Sequence, residues 1–388
     1  FEELSGYTHK ELLGKEFVPS ATSEQLREVY QIYVAGTQQL YPPQRMPLIC
    51  ALKGKSLTVD DMEIHQGEQI IPLEVWGTPI FDEKGNVAYA IAAFQDISDR
   101  KQAEAERMKF TNQLFELNKA YERFVPRQFL QLLEKDSIID LQLDEAVEKK
   151  MSVLFADIRN FTTLSEQMTP NENFKFINSF LKQMEPAIIS NNGFIDKYIG
   201  DEIMALFQGS ADDAVKAAIA MLKQLTIYNQ TRLSSQTVPV QIGIGINTGL
   251  LMLGTVGGNS RMDSTVISDA VNLASRIERL TKAYQVSLLI SHATFLELED
   301  ATQYDIRMID CVTVKGKSIA VTVYEVFDAD LPPIREIKLA TRVEFERAVL
   351  CYHSNCIPQA IKGFEYCLNS NPGDTVAQIY QYRCQQHY

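Results

Sequence analysis

Two stretches decide the reading: Met151-Ser-Val-Leu-Phe-Ala-Asp157 and Lys197-Tyr-Ile-Gly-Asp201-Glu-Ile-Met-Ala-Leu-Phe207. Each places an aspartate where an apolar, strand-like run stops. In the second stretch, the Gly-Asp pair forms a turn between two strand-like halves. Either aspartate alone reads as a helix cap or a turn residue. Taken together they suit a hard cation such as Mg²⁺, which is held by one or two carboxylates plus substrate phosphate oxygens. Two such ions can clamp the attacking and leaving oxygens of a phosphoryl displacement.

The alternation around these stretches predicts a fold. A strand at Met151–Asp157 is followed by a helix over 173–190, a hairpin of 194–199 with 202–208, a helix over 212–230 and a strand over 239–247. That βαββαβ order is the ferredoxin-like one. A strand-like piece over 250–255, a helix from 269 to 283, a strand over 287–291 and a final strand pair over 305–314 and 319–326 follow. Gly243-Ile-Gly245-Ile-Asn-Thr-Gly249 lacks the spacing and the following helix of a phosphate loop, so it reads as strand and turn.

Outward from this α+β segment, three others are expected. Residues 1–98 read as a small mixed domain, with strands at 71–80 and 87–94 joined by the turn Phe81-Asp-Glu-Lys-Gly85-Asn86. Residues 99–149 form a connector. Within it, a helix is predicted over 99–135, with Ala103, Arg107, Phe110, Leu114, Leu117, Tyr121 and Phe124 spaced by alternating fours and threes, as in a two-stranded coiled coil. A single amphipathic helix is the plainer alternative. Residues 334–388 look all-helical. There Ala348, Ala360, Phe364 and Pro372 fall at the spacing of one tetratricopeptide repeat. One repeat cannot bury its own face, so it must pack on a neighbour or continue an array.

The bulk numbers narrow the function. The chain has 388 residues, 45% hydrophobic and 22% charged, with a formal net charge of −13. An acidic balance argues against nucleic acid and against anionic membranes, whose phosphates demand clustered Lys and Arg. None of the six cysteines falls in zinc-ligand spacing, which predicts free thiols and a cytoplasmic location. No apolar run is long enough to span a membrane. The start at Phe1 predicts that an upstream segment precedes it, with a membrane or sensor segment among its options.

The central segment, 150–328, resembles the catalytic domain of class III nucleotidyl cyclases. Four separated motifs carry the resemblance: Phe155-Ala-Asp157-Ile-Arg-Asn-Phe161-Thr162, Lys197-Tyr-Ile-Gly-Asp201, Ser264-Thr265-Val-Ile-Ser-Asp-Ala-Val-Asn272-Leu-Ala-Ser-Arg276 and Val314-Lys315-Gly-Lys317. The resemblance implies an adenylyl cyclase that closes ATP to cyclic AMP with loss of pyrophosphate. Asp157, Asp201 and Ile158 would hold two Mg²⁺, with Mn²⁺ as a substitute. The N–H groups from Ile158 to Phe161 and Thr162 would cradle phosphate. Asn272 and Arg276, four apart on one helical face, would serve the ribose and the charge developing at the α-phosphate, and Lys315 the outer phosphates.

In that family a lysine at Lys197 goes with adenine and a glutamate with guanine. Its partner position, often Asp, is Thr265 here, as in cyclases that respond to bicarbonate, which makes bicarbonate an implied effector. Ser268 stands where Gly is usual. The family's sites form between subunits, so a homodimer with shared sites is implied. Residues 1–98 resemble a PAS domain at Phe1-Glu-Glu-Leu-Ser-Gly6-Tyr7, Glu11-Leu-Leu-Gly14-Lys15 and Gln95-Asp-Ile-Ser-Asp-Arg100-Lys101. That implies a sensory or dimerising module that regulates through the coil. The competing readings are a guanylyl or relaxed-specificity cyclase, which Lys197 opposes; a diguanylate cyclase, whose Gly-Gly-Asp-Glu-Phe signature is absent; and a silent signalling scaffold, which the intact Asp157, Asp201, Asn272 and Arg276 oppose.

Overall fold

The structure, a computed structural model, describes residues 32–66, 69–143, 145–234, 237–258, 261–313 and 320–386. The expected entry motifs of the N-terminal domain and Lys315 with Lys317 lie outside the described residues. The chain divides into two compact units at Tyr121/Glu122.

The first unit has an antiparallel sheet in the order β1 (Ile32–Val34), β2 (Leu57–Gln66), β3 (Gln69–Phe81), β4 (Val87–Asp96), with helix α1 (Pro47–Leu52) between the first two strands. Ile71, Leu73 and Val75 alternate into its core beside Met62 and Ile64, as a strand with one buried face requires. Helix α2 (Ser98–Tyr121) follows directly. The Asp96 carboxylate accepts the Ser98 N–H at 2.8 Å, and Arg100 pairs with Glu74 at 2.8 Å. No α2 residue is buried. The helix ends at Tyr121, not near 135 as its heptads predicted. Pro126 instead starts a second helix, α3 (Arg127–Leu132), whose Phe129 and Leu132 are drawn into the core of the second unit. Burying these two side chains outweighs continuing an exposed helix, since a proline breaks the ladder there in any case.

The second unit is mixed α+β. Its elements run β5 (Ala146–Ile158), α4 (Phe161–Ser165), α5 (Pro170–Ile189), β6 (Gly193–Ile199), β7 (Glu202–Phe207), α6 (Ala211–Ser234), β8 (Ile242–Gly258), β9 (Arg261–Ile267), α7 (Asp269–Tyr284), β10 (Leu288–Ser291), α8 (His292–Leu296), β11 (Ile306–Thr313) and β12 (Ala320–Val326). Three helices close the chain: α9 (Pro332–His353), α10 (Ile357–Ser370) and α11 (Thr375–Gln386). The sheet order is β11-β12-β10-β8-β5-β7-β6, with β9 also pairing β8. Its β8-β5-β7-β6 half is the βαββαβ arrangement expected.

Strand β5 sits at the centre and is buried on both faces. Leu154, Ala156 and Ile158 face the core under α5 and α6. Met151, Val153 and Phe155 face the opposite core. This double burial explains the unbroken apolar run before Asp157. Helix α5 starts at a capping box, where Thr169 and Glu172 each take the other's backbone N–H.

Two expectations fail in this unit. No turn follows Asn247: β8 is one strand of 17 residues, paired with β5 from Ala146↔Gly254 to Ile158↔Ile242. The long partner keeps the chain extended, and the buried Ser152 and Thr248 hydroxyls meet at 2.7 Å across the pair. The glycines serve close packing instead. A Cβ on Gly245 would stand 2.1 Å from the Glu278 backbone nitrogen, and one on Gly243 would stand 2.1 Å from the Thr281 hydroxyl. They let α7 lie directly on β8. The second failure is β9, which the pattern did not announce.

The C-terminal helices share a core with the sheet. Leu273, Ile277 and Tyr284 of α7 pack with Phe345, Phe364 and Tyr380. A buried ionic network reinforces the joint. Arg307 is 1% exposed, binds Asp374 at 2.5 and 3.0 Å and Glu325 at 2.6 Å, and lies over the Phe345 ring. Lys338 bonds Glu325 and Asp330, each at 2.6 Å. Among the described residues no helix is long and apolar enough to cross a membrane. All six cysteines are free.

Candidate active site

Asp157 is the last residue but one of β5, and Asp201 sits in the β6–β7 turn beside Gly200, which takes φ +69°. Because β5 and β7 are neighbours, the turn brings Asp201 against Asp157. The Asp201 carboxyl is pushed up to about 7 by burial, by a hydrogen bond with Asp157 and by that neighbour's charge; backbone N–H groups, including that of Ile158, pull the other way. One Asp201 oxygen is buried with no hydrogen-bond partner among the described residues. Two carboxylates forced together, one with an orphaned oxygen, are what a cation would relieve. Among the described residues no cluster of three or more His, Cys, Asp or Glu could hold a metal. An ion held by this carboxylate pair would take the rest of its shell from substrate oxygens.

The acidic field extends deeper. The Glu278 carboxyl, buried on α7, is pushed up to about 7 by burial and by the charges of Asp157 and Glu202. Glu202 is raised by burial and by Asp157. The sequence reading missed both. The available signal was an acid on the apolar face of α7, among Leu273, Ala274, Ile277 and Thr281.

Of the N–H groups expected to cradle phosphate, that of Arg159 donates to Gln241 O at 2.8 Å. Phe161 and Thr162 open α4, a helix of only five residues, too short for much of a dipole. The Arg159 guanidinium reaches across to α7, donating to the carbonyls of Thr281 (3.0 Å) and Val286. It thereby ties the Asp157 loop to the far end of that helix.

A second group forms around Lys197 on β6. Its ammonium donates to Ser264 O at 3.2 Å and lies 3.4 Å from an Asp196 oxygen. Ser264 and the half-buried Thr265 lie on β9. Asn272 is exposed and Arg276 half-buried on α7, away from its packed face. Ser268 caps that helix: its hydroxyl accepts the Ala270 N–H at 3.0 Å and donates to Leu250 O. Its φ of −169° is extended backbone that any residue adopts, so the absent glycine does not disturb the loop. Within one chain, no hydrogen bond or ion pair among the described residues joins the Asp157–Asp201 group to the Lys197–Ser264 group.

The comparisons bear on this geometry. Residues 144–326 match the adenylate and guanylate cyclase catalytic domain family. A terminal-differentiation-specific adenylate cyclase of Dictyostelium discoideum is 38% identical over 280 residues, which are 70% of this chain and 13% of that protein. An adenylate cyclase of Anabaena cylindrica is 46% identical over 222 residues, 55% of this chain and 44% of that protein. The chain therefore spans less than half the length of either relative. A bacterial light-regulated adenylyl cyclase of solved structure shares the fold at 22% identity, with a TM-score of 0.50 over 57% of this chain and 64% of that one.

Proposed function

We propose that this chain, whose residues 144–326 form an adenylate and guanylate cyclase catalytic domain, converts ATP to cyclic AMP and pyrophosphate as a homodimer. The observation that carries the reading is the Asp157–Asp201 pair, with its raised carboxyl and orphaned oxygen. Its relatives' names support the adenine preference, as does Lys197 in the base-reading position.

The ribose 3′-hydroxyl attacks the α-phosphorus, and the bond to pyrophosphate breaks. Such a transfer needs positioning and charge neutralisation more than covalent help. Asp157 and Asp201, with the Ile158 carbonyl, would hold two Mg²⁺ or Mn²⁺. Bound there, the ions would lower the hydroxyl's pKa and draw charge from the triphosphate. Arg276 offers a planar fork to the charge developing at the α-phosphate. Asn272, one turn earlier, orients the ribose. Lys315 meets the outer phosphates, and the N–H groups of Phe161 and Thr162 add neutral donors. Lys197 donates to adenine N1, where guanine presents a donor of its own, and the Thr265 hydroxyl accepts from the adenine amino group.

No hydrogen bond or ion pair among the described residues joins the two groups within one chain, and in this reading they complete each other between two chains. Leu250, Met252, Met262 and Ile267, all exposed on β8 and β9, supply an apolar surface for such a contact. So do the exposed Phe110, Leu114 and Leu117 of α2, paired as a coiled coil. In this reading the first unit is a PAS-type module that acts through the coil, the C-terminal helices are a tetratricopeptide-like unit, and bicarbonate is an effector.

The test is to incubate the purified chain with Mg²⁺ or Mn²⁺ and ATP or GTP, alongside Asp201→Ala. Cyclic AMP that disappears in the variant is expected. No cyclic product under any of these conditions would refute the reading.

A further inference from the structure

The least expected group near the site is Asp196. Successive side chains of a strand point to opposite faces, so Asp196 and Lys197 should not meet. The β6–β7 register shifts between Ile195 and Lys197, however, and a bulge leaves its extra residue unpaired and re-aims a side chain. Here it brings an Asp196 oxygen within 3.4 Å of the Lys197 ammonium. The Asp196 side chain is 0% exposed, and neither of its oxygens has a hydrogen-bond partner among the described residues. A buried, underbonded carboxylate is a liability to the fold unless a charge answers it, and Lys197 is the charge beside it.

From this geometry we infer that Asp196 is the positioning residue of the base-reading lysine, holding the Lys197 ammonium aimed so that the cyclase site selects adenine over guanine. The inference rests on the adenylyl cyclase reading. An ammonium has three N–H donors in tetrahedral array. One goes to Ser264 O at 3.2 Å. The Asp196 carboxylate, 3.4 Å away, holds the ammonium by charge without a hydrogen bond. With one donor bonded and the charge pulled toward Asp196, a remaining donor is aimed at the purine. It meets the N1 acceptor of adenine well and the N1–H of guanine badly. Once the anchor is released, the same ammonium can turn toward the guanine O6 and accommodate either base. A site that matches polar groups discriminates strongly only while those groups are held in place.

The experiment compares wild type, Asp196→Asn, Lys197→Ala and the double variant, measuring kcat and KM for both nucleotides and equilibrium binding of each. Asp196→Asn keeps the shape and removes a buried charge, and melting curves verify the fold; Asp196→Ser serves if the amide variant does not fold. The expected result is a rise in KM for ATP of about tenfold with a smaller change in kcat, the size of one partly buried charge pair. The ATP-to-GTP preference should fall by a similar factor, and Asp196→Asn should add nothing to Lys197→Ala. A purely structural Asp196 would scale both nucleotides alike and persist in the Lys197→Ala background, and either outcome overturns the inference. If the wild type forms no cyclic product, the cyclase reading fails by itself and binding decides the role of Asp196. An ATP preference that Asp196→Asn abolishes sustains that role, whereas no preference in the wild type overturns it.

Discussion

In the metal-free protein, Asp201→Asn should stabilise the fold. Asp201 is half-buried against Asp157, and its carboxyl is raised from 3.8 to about 7. At about 1.4 kcal/mol for each tenfold change in acidity, the full rise corresponds to about 4 kcal/mol. The group is only partly buried, so solvent screening reduces the expected net effect to about 1–2 kcal/mol. The folded state holds this proton more tightly than the unfolded chain does. Stability therefore falls as pH rises from the unfolded value through about 7, and the penalty is complete above that. An asparagine carries no charge and can still donate to Asp157.

The assay is urea unfolding of both proteins in chelator from pH 5 to pH 9. The two midpoints should separate as pH rises, with the variant higher by about 0.5 M at pH 8, given a slope of about 2–3 kcal/mol per molar urea. Mg²⁺ at a hundredfold excess over Kd should stabilise the wild type at pH 8 by about 2.7 kcal/mol, raising its midpoint by about 1 M, and leave the variant unmoved. If Asp201→Asn lowers the midpoint at pH 8 in chelator, the two carboxylates do not repel as the geometry requires, and the argument for a cation there fails.

Three other outcomes are expected. Arg307→Ala strands Glu325 and Asp374 in the core and should lower the unfolding free energy by about 3–5 kcal/mol; Arg307→Met, which keeps the packing over Phe345, should lose less. Gly245→Ala places a Cβ 2.1 Å from the Glu278 nitrogen, so α7 must lift from β8; thermal melts should show a loss of about 1–3 kcal/mol, and cyclic AMP formation should fall with it. Leu114→Asp with Leu117→Asp, on a helix that buries nothing within its own unit, should leave the melting of the catalytic unit unchanged while sedimentation shows a weakened dimer.

Much of the catalytic half was legible in the sequence because its signals are local. The strand before Asp157, the Gly-Asp turn and the helix bearing Asn272 and Arg276 follow from apolar runs and turn chemistry over a few residues. The pairing of Asp157 with Asp201 needed only the inference that β5 and β7 are neighbours. What misled the reading was also local: Gly249 suggested a turn where β5 holds the chain extended, and the heptads beyond Tyr121 suggested a helix that Pro126 interrupts.

Hydrophobic period and motif spacing are properties of contiguous chain, and they were enough to give the βαββαβ core. Other features depend on residues far apart in the sequence and become visible only once the chain is folded. Glu278 is perturbed only because Gly243 and Gly245 let α7 settle onto β8, next to Asp157. Arg159 caps a helix that ends more than a hundred residues later in the chain. Asp196 meets Lys197 because one bulge breaks the alternation that the sequence alone would predict. The closing helices join the catalytic unit because Arg307 finds Asp374 across a buried interface, a pairing of charges that no local pattern encodes.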